Sequence, residues 1–301
     1  MHTNFLLAAT AAELGKWRFP FNRYRAHDRS GHEVTCYLTC PEGKESLPMI
    51  LYIQGSDPSS HFFRADDERI LGYDQDLLME VLHDRPAHVL VVEKPETPFL
   101  WRSKVPGTMR GTRTAYKRAC TADRWLAALQ AALQGIWTLP QISASRTLVI
   151  GHSEGSQVAA ELAALMPQIN SVACLAGSDF TPGIDAPTPA ECVHRNSLKL
   201  QRGHTLRYWR SWQGRSMSKA LLASKARAYL AHGYADPCSN FAAFQRTVAE
   251  LEGAGWGDKM TVDVGNYDHS LAIPGQACFE GGLAMFTKIL DWAGFWTKRA
   301  E

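Results

Sequence analysis

Five consecutive residues, Gly151-His152-Ser153-Glu154-Gly155, set a serine hydroxyl between two glycines. Such a hydroxyl attacks a carbonyl only when a base takes its proton and nearby donors meet the alkoxide that forms. Serine and glycine are common, so the surroundings decide what the match is worth. Residues 146–150 (RTLVI) read as a buried strand entering the motif, and 156–165, rich in alanine, as a helix leaving it. A strand–turn–helix needs small residues where its backbones crowd, and its strain lifts the serine clear of the sheet. The helix then directs its N-terminal dipole toward developing negative charge. A solvent-facing serine in an ordinary glycine-rich turn is the plainer alternative.

The elements that must hold this serine are legible as alternating patterns. Trp17, Phe19 and Phe21 fall at every second position, as one face of a strand requires, and 34–40 after Ser30-Gly31 completes an expected hairpin. Residues 48–54 (PMILYIQ) form a continuous apolar run, as in a strand covered on both faces. Further strands are expected at 87–92, 171–175, 226–231 and 260–264. Helices are expected at 76–83, 116–134 (with Trp125 on the apolar stripe), 241–251 and 280–296. Two β elements followed by β-α repeats imply a mostly parallel sheet of eight strands with helices on both faces. Ligands then bind beyond the carboxyl ends of the strands. Residues 180–224 break the alternation, opening with TPGIDAPTP and continuing to LRYWRSWQGR. A connection this long is expected to be a lid inserted into one domain spanning 1–301, with helix around 190–212.

Composition narrows the function classes. Of 301 residues, 45% are hydrophobic and 21% charged, which is enough for a sizeable core. Thirty-two basic against 30 acidic residues leave a net charge of +2, too small a field to gather nucleic acid or anionic lipid. Seven widely spaced cysteines without a CxxC pair argue against a disulfide framework and a zinc knuckle, and favour a reducing compartment. The apolar stretch at 5–9 has no Lys or Arg before it and is far shorter than the ~20 residues of a membrane span. A cytoplasmic protein without a membrane span is expected.

From residue 48 onward the chain resembles an α/β-hydrolase, and its two N-terminal β runs match that fold's opening strands. The resemblance implies a nucleophile, an acid and a histidine in that order, each on a turn after a strand. It makes Ser153 the nucleophile. It implies Asp236 as the acid, in 229–237 (YLAHGYADP), with Asp179 and Asp268 as competitors. It implies His269 as the base, in 266–270 (NYDHS), beyond the last strand; His152 and His232 lie near as lining or structural side chains. The oxyanion donors it implies are the backbone N–H groups of Glu154 and Ser56. Ser56 sits in Gln54-Gly55-Ser56-Asp57, where relatives commonly carry His-Gly and this chain has Gln-Gly. Gln54, Gly55 and His152 are expected to line the substrate site.

The stretch 99–118 holds Arg102, Lys104, Arg110, Arg113, Lys117 and Arg118 and no acidic residue. Arg102 is a candidate for meeting a substrate carboxylate, against the plainer reading of a solvated basic loop. Tyr208, Trp209 and Trp212, with Phe62 and Phe63, either line an apolar pocket or pack. Together these features predict carboxylesterase-like cleavage of a small-molecule ester through an acyl-enzyme, with no metal or organic cofactor. An amidase or peptidase using the same triad, C–C bond hydrolysis or lyase chemistry, and a non-catalytic binding protein on the same fold stay open.

Overall fold

The structure is a computed structural model and describes residues 5–40, 46–105, 107–180, 186–187, 190 and 198–294. The strands of the first half are β1 (Leu6–Ala9), β2 (Phe21–His27), β3 (Glu33–Thr39), β4 (Leu47–Ile53), β5 (Phe62–Arg64), β6 (Ile70–Gly72) and β7 (His88–Val92). Those of the second half are β8 (Ile142–His152), β9 (Ser171–Leu175), β10 (Leu200–Gln201), β11 (His204–Thr205), β12 (Arg227–Gly233) and β13 (Met260–Gly265). The helices are α1 (Ala11–Leu14), α2 (Asp74–Val81), α3 (Thr114–Ala119), α4 (Ala122–Ile136), α5 (Glu154–Leu165), α6 (Leu206–Trp212), α7 (Met217–Ala223), α8 (Phe241–Gly253) and α9 (Cys278–Ala293).

Nine strands join in the order β1-β2-β3-β7-β4-β8-β9-β12-β13. The first three pair antiparallel, β3 meets β7 antiparallel, and from β7 to β13 all neighbours are parallel. Period-two alternation divides each central strand between two cores. Met49, Leu51, Val149, Val172 and Leu230 face the helices α4, α5, α7 and α8. Ile50, Tyr52, Leu148, Ala173 and Tyr229 face α2 and α9 on the other side. Apolar cover on both faces explains why these strands read as unbroken hydrophobic runs. Among the described residues no helix is long and apolar enough to cross a membrane.

Three expectations are corrected in detail. The short apolar stretch near the start is a ninth, edge strand, β1, with Leu6 opposite Arg25, whereas Trp17 only bridges to Ile70. The helix expected at 116–134 is two helices, because Cys120 is extended and the Thr121 side chain accepts from Arg124 N–H to start α4. Of the helix expected around 190–212, residues 191–197 lie outside the described residues. Residues 200–205 form the β10–β11 hairpin, and α6 begins only where Thr205 caps it.

Candidate active site

Strand β8 delivers Ser153 to a turn that few residues tolerate. Its φ of 55° and ψ of −124° place a non-glycine residue in a left-handed region, between the strand and α5. The Ser153 N–H donates to the Leu175 carbonyl at 2.7 Å, which ties the turn to β9. The flanking glycines are required by close approach. A Cβ on Gly151 would lie 2.1 Å from the Gly155 oxygen, and one on Gly155 would lie 2.4 Å from the Ile53 oxygen.

Two further turns, after β12 and β13, bring up the Asp236 carboxylate and the His269 imidazole. His269 Nε2 is 3.0 Å from Ser153 Oγ, and His269 Nδ1 is 2.8 Å from Asp236 Oδ2. The Asp236 carboxylate is itself held: Oδ1 accepts from Cys238 N–H at 2.7 Å and Oδ2 from Ser239 Oγ at 2.6 Å. Burial pushes this carboxyl up, but the hydrogen bonds from His269 and Ser239 outweigh it and bring it down to about 2. The competing acids are engaged elsewhere. Asp179 accepts from Ser216 Oγ at 3.0 Å and from the Met217 N–H at the start of α7, while Asp268 accepts from Ser270 and Ala272 in its own turn. His152 Nε2 donates to the His269 carbonyl at 2.8 Å, fixing the backbone that carries the imidazole. Burial holds the His152 ring below the usual imidazole range.

Ser56 lies beside this chain of hydrogen bonds, in the loop after β4. Gly55 touches the serine: a Cβ there would lie 2.9 Å from Ser153 Cβ. Glu154 is the first residue of α5, where an N–H has no intrahelical acceptor. A cavity of about 250 Å³ opens over Ser153 and His269, with Gln54, Gly55, Ser56 and His152 in its lining. Gln54 Nε2 donates to the Ser59 carbonyl at 2.9 Å, which braces the loop. Arg102 is not in that lining; it is exposed and lies 5.1 and 5.7 Å from the ring centroids of Phe63 and Tyr73. Phe62 is core, and Trp209 and Trp212 line a separate cavity of about 350 Å³ beside Phe180.

Lys94, to which nothing in the sequence pointed, underpins the loop after β4. Its buried Nζ donates to the carbonyls of Gly55 and Asp57, the latter at 2.9 Å, and lies 4.4 Å from the Trp125 ring centroid. Burial lowers its ammonium pKa, partly offset by Glu154. The Glu154 carboxyl, one residue beyond Ser153, is buried and is pushed up to about 7 by burial, against the pull of Lys94. Ser239 was missed as well, although its place three residues after the aspartate of Asp236-Pro237 is a recognisable side-chain turn. Asp236, Cys238 and His269 bring ligand atoms within 4.8 Å of one another. Because Asp236 and His269 already share a hydrogen bond, a cation there would have to displace a proton.

No known family model matches the chain, and no curated protein matches it in sequence. Solved structures do match. The 2,6-dihydroxy-pseudo-oxynicotine hydrolase is 19% identical with a TM-score of 0.63, the match covering 93% of this chain and 69% of that one. Est1E from Butyrivibrio proteoclasticus, solved with ferulic acid, is 14% identical with a TM-score of 0.62, covering 88% and 97%. An acylaminoacyl peptidase from Pyrococcus horikoshii is 12% identical with a TM-score of 0.64, covering 94% of this chain but only 42% of its own length. Strand order, the positions of the three turns and these neighbours agree, and the chain has the α/β-hydrolase fold.

Proposed function

We propose that the protein is a serine hydrolase that cleaves a small-molecule ester through an acyl-enzyme. The observation that carries this reading is the continuous path Ser153 Oγ–His269 Nε2, His269 Nδ1–Asp236 Oδ2, at 3.0 and 2.8 Å. Ser153 attacks the ester carbonyl as His269 Nε2 takes its proton, and Asp236 holds the ring and stabilises the imidazolium. The N–H groups of Glu154 and Ser56 receive the oxyanion. His269 then gives its proton to the leaving alcohol, and water repeats the cycle on the acyl-serine. Of the segment 180–224 read as a lid, residues 181–185, 188–189 and 191–197 lie outside the described residues, and its described helices α6 and α7 pack against α4 and α5.

A fluorophosphonate probe tests this directly. The wild-type chain should label at one serine and Ser153→Ala should not label at all. Turnover of aryl esters should disappear with the labelling. Folded wild-type protein that takes no label would instead make this a binding protein on a hydrolase fold.

A further inference from the structure

The cavity over Ser153 is biased in charge beyond anything the triad requires. Its lining carries the carboxylates of Asp57 and Asp74 and no Lys or Arg side chain. Asp57 is occupied locally, its Oδ1 accepting from Ser59 N–H at 2.9 Å and Ser59 Oγ at 2.7 Å. Asp74 differs. The buried Tyr52 hydroxyl donates to its Oδ2, while Oδ1 has no partner among the described residues. Beside it Gln75 is 1% exposed, and its Nε2 donates to the His61 carbonyl. That bond fixes the amide, so Oε1 is a buried acceptor without a donor among the described residues. His152, with Nε2 donating to the His269 carbonyl, keeps Nδ1 as a lone-pair acceptor in the same lining. A buried acceptor without a donor is unfavourable unless a bound group brings one.

We infer that Asp74 and Gln75 form a subsite for a protonated amine on the substrate, so that the ester cleaved at Ser153 bears an ammonium group. This rests on the hydrolase reading and names the substrate class for that same site. Asp74 supplies the charge, Gln75 Oε1 a neutral acceptor, and together they suit an N–H-bearing cation better than a carboxylate. Neither neighbouring cation is in the lining: Lys94 lies behind the loop on the Asp57 side, donating to the Gly55 and Asp57 carbonyls, and Arg102 is exposed beside Phe63 and Tyr73.

The test compares esters that differ only in N–H⁺ against C–H. On the alcohol side these are 2-(dimethylamino)ethyl butanoate and 3-methylbutyl butanoate. On the acyl side they are the ethyl esters of 4-(dimethylamino)butanoate and 5-methylhexanoate. In wild-type protein at least one pair should favour the ammonium ester by about 10-fold or more in kcat/KM, the scale of one charge-assisted hydrogen bond. Asp74→Asn should bring that ratio close to one, and the ratio divides out any loss of folded enzyme. Independently of any variant, 2-(dimethylamino)ethanol should inhibit wild-type turnover at lower concentration than 3-methylbutan-1-ol. Ratios near one in both wild-type pairs would overturn the subsite and leave the hydrolase intact. Absence of all turnover together with absence of Ser153 labelling would overturn both.

Discussion

Replacing Lys94 by methionine is the sharpest probe of what sits behind the loop after β4, which is proposed to carry the Ser56 oxyanion donor. Methionine keeps most of the volume but removes the ammonium that donates to the Gly55 and Asp57 carbonyls. Two part-buried carbonyls lose the ammonium, at about 1–3 kcal/mol each, with Asp57 keeping only the long 3.5 Å bond from Gln54 Nε2, and the contact with Trp125 at 4.4 Å loses about 2 kcal/mol. Against this, the chain no longer buries an ammonium, a saving of several kcal/mol. Glu154 loses its compensating cation, but a carboxyl already pushed up to about 7 can respond by staying protonated. The net loss should therefore be about 3 kcal/mol, the low end of what removing one member of a buried pair costs. Glu154→Gln in the same chain should return at least ~1 kcal/mol of it, because the two groups are coupled. Urea unfolding of the four proteins of this cycle, followed by tryptophan fluorescence, measures both numbers. Fluorophosphonate labelling should slow about 100-fold in Lys94→Met as the Ser56 N–H drifts from its position. Strictly additive stabilities, or Lys94→Met within ~0.5 kcal/mol of wild type, would refute this charge balance.

Other expectations follow from the same contacts. The Glu154 carboxyl is raised in the folded state, so stability is fullest below its unfolded value near 4.5 and declines as pH rises to about 7. Glu154→Gln should remove that decline, matching wild type at pH ~5 and exceeding it by up to ~3 kcal/mol at pH ~8, in thermal unfolding at both pH values; equal differences at the two would count against it. Gly155→Ala drives a Cβ to 2.4 Å from the Ile53 carbonyl, so labelling of Ser153 should fall by more than ~100-fold, and a wild-type labelling rate would contradict the crowding argument. Asp236 is depressed to about 2, so its stabilising contribution is complete above ~4 and is lost as pH falls through about 2. Ser239→Ala removes one of the donors that depress it, and the acid-unfolding midpoint followed by circular dichroism should move upward in pH; an unchanged midpoint would show that His269 and Cys238 suffice.

What could be read from the sequence was whatever is encoded by neighbours in the chain. The run 146–150, Gly151 and Gly155 declare a buried strand and a crowded turn, because the backbone contacts that demand glycine arise within a few residues. The strands from 48 to 264 announce themselves by continuous hydrophobicity, a consequence of helices on both faces. Less was legible where a cap overrides a pattern. The amphipathic period runs unbroken from 116 to 134, yet the Thr121 hydroxyl captures the Arg124 N–H and splits the segment in two. The hairpin at 200–205 was hidden for a similar reason, since Thr205 caps α6 and the polar residues before it carry no period. Lys94 was invisible altogether: a lysine ending a strand is ordinarily solvated, and only the fold carries the Gly55 and Asp57 carbonyls to its ammonium. Arg102 stands at the margin of what local sequence can place: its guanidinium lies 5.1 Å from the half-buried Phe63 ring and 5.7 Å from the ring of Tyr73, which lines the cavity over Ser153.

The distances at the site depend on strand register more than on any single loop. Ile53 pairs with Gly151 across β4 and β8, so the chain leaves both strands level. That level exit is why Gly55 lies against Ser153 and why Gly155 packs on the Ile53 carbonyl. On the other side, Leu175 pairs with His152 and its carbonyl receives the Ser153 N–H at 2.7 Å. Ser153 is therefore clamped between two parallel neighbours, and a slip of one residue in either would turn buried side chains to the wrong face. The same clamp is what allows a positive φ at a non-glycine residue to persist, since the strain in one turn is held by two strand pairings.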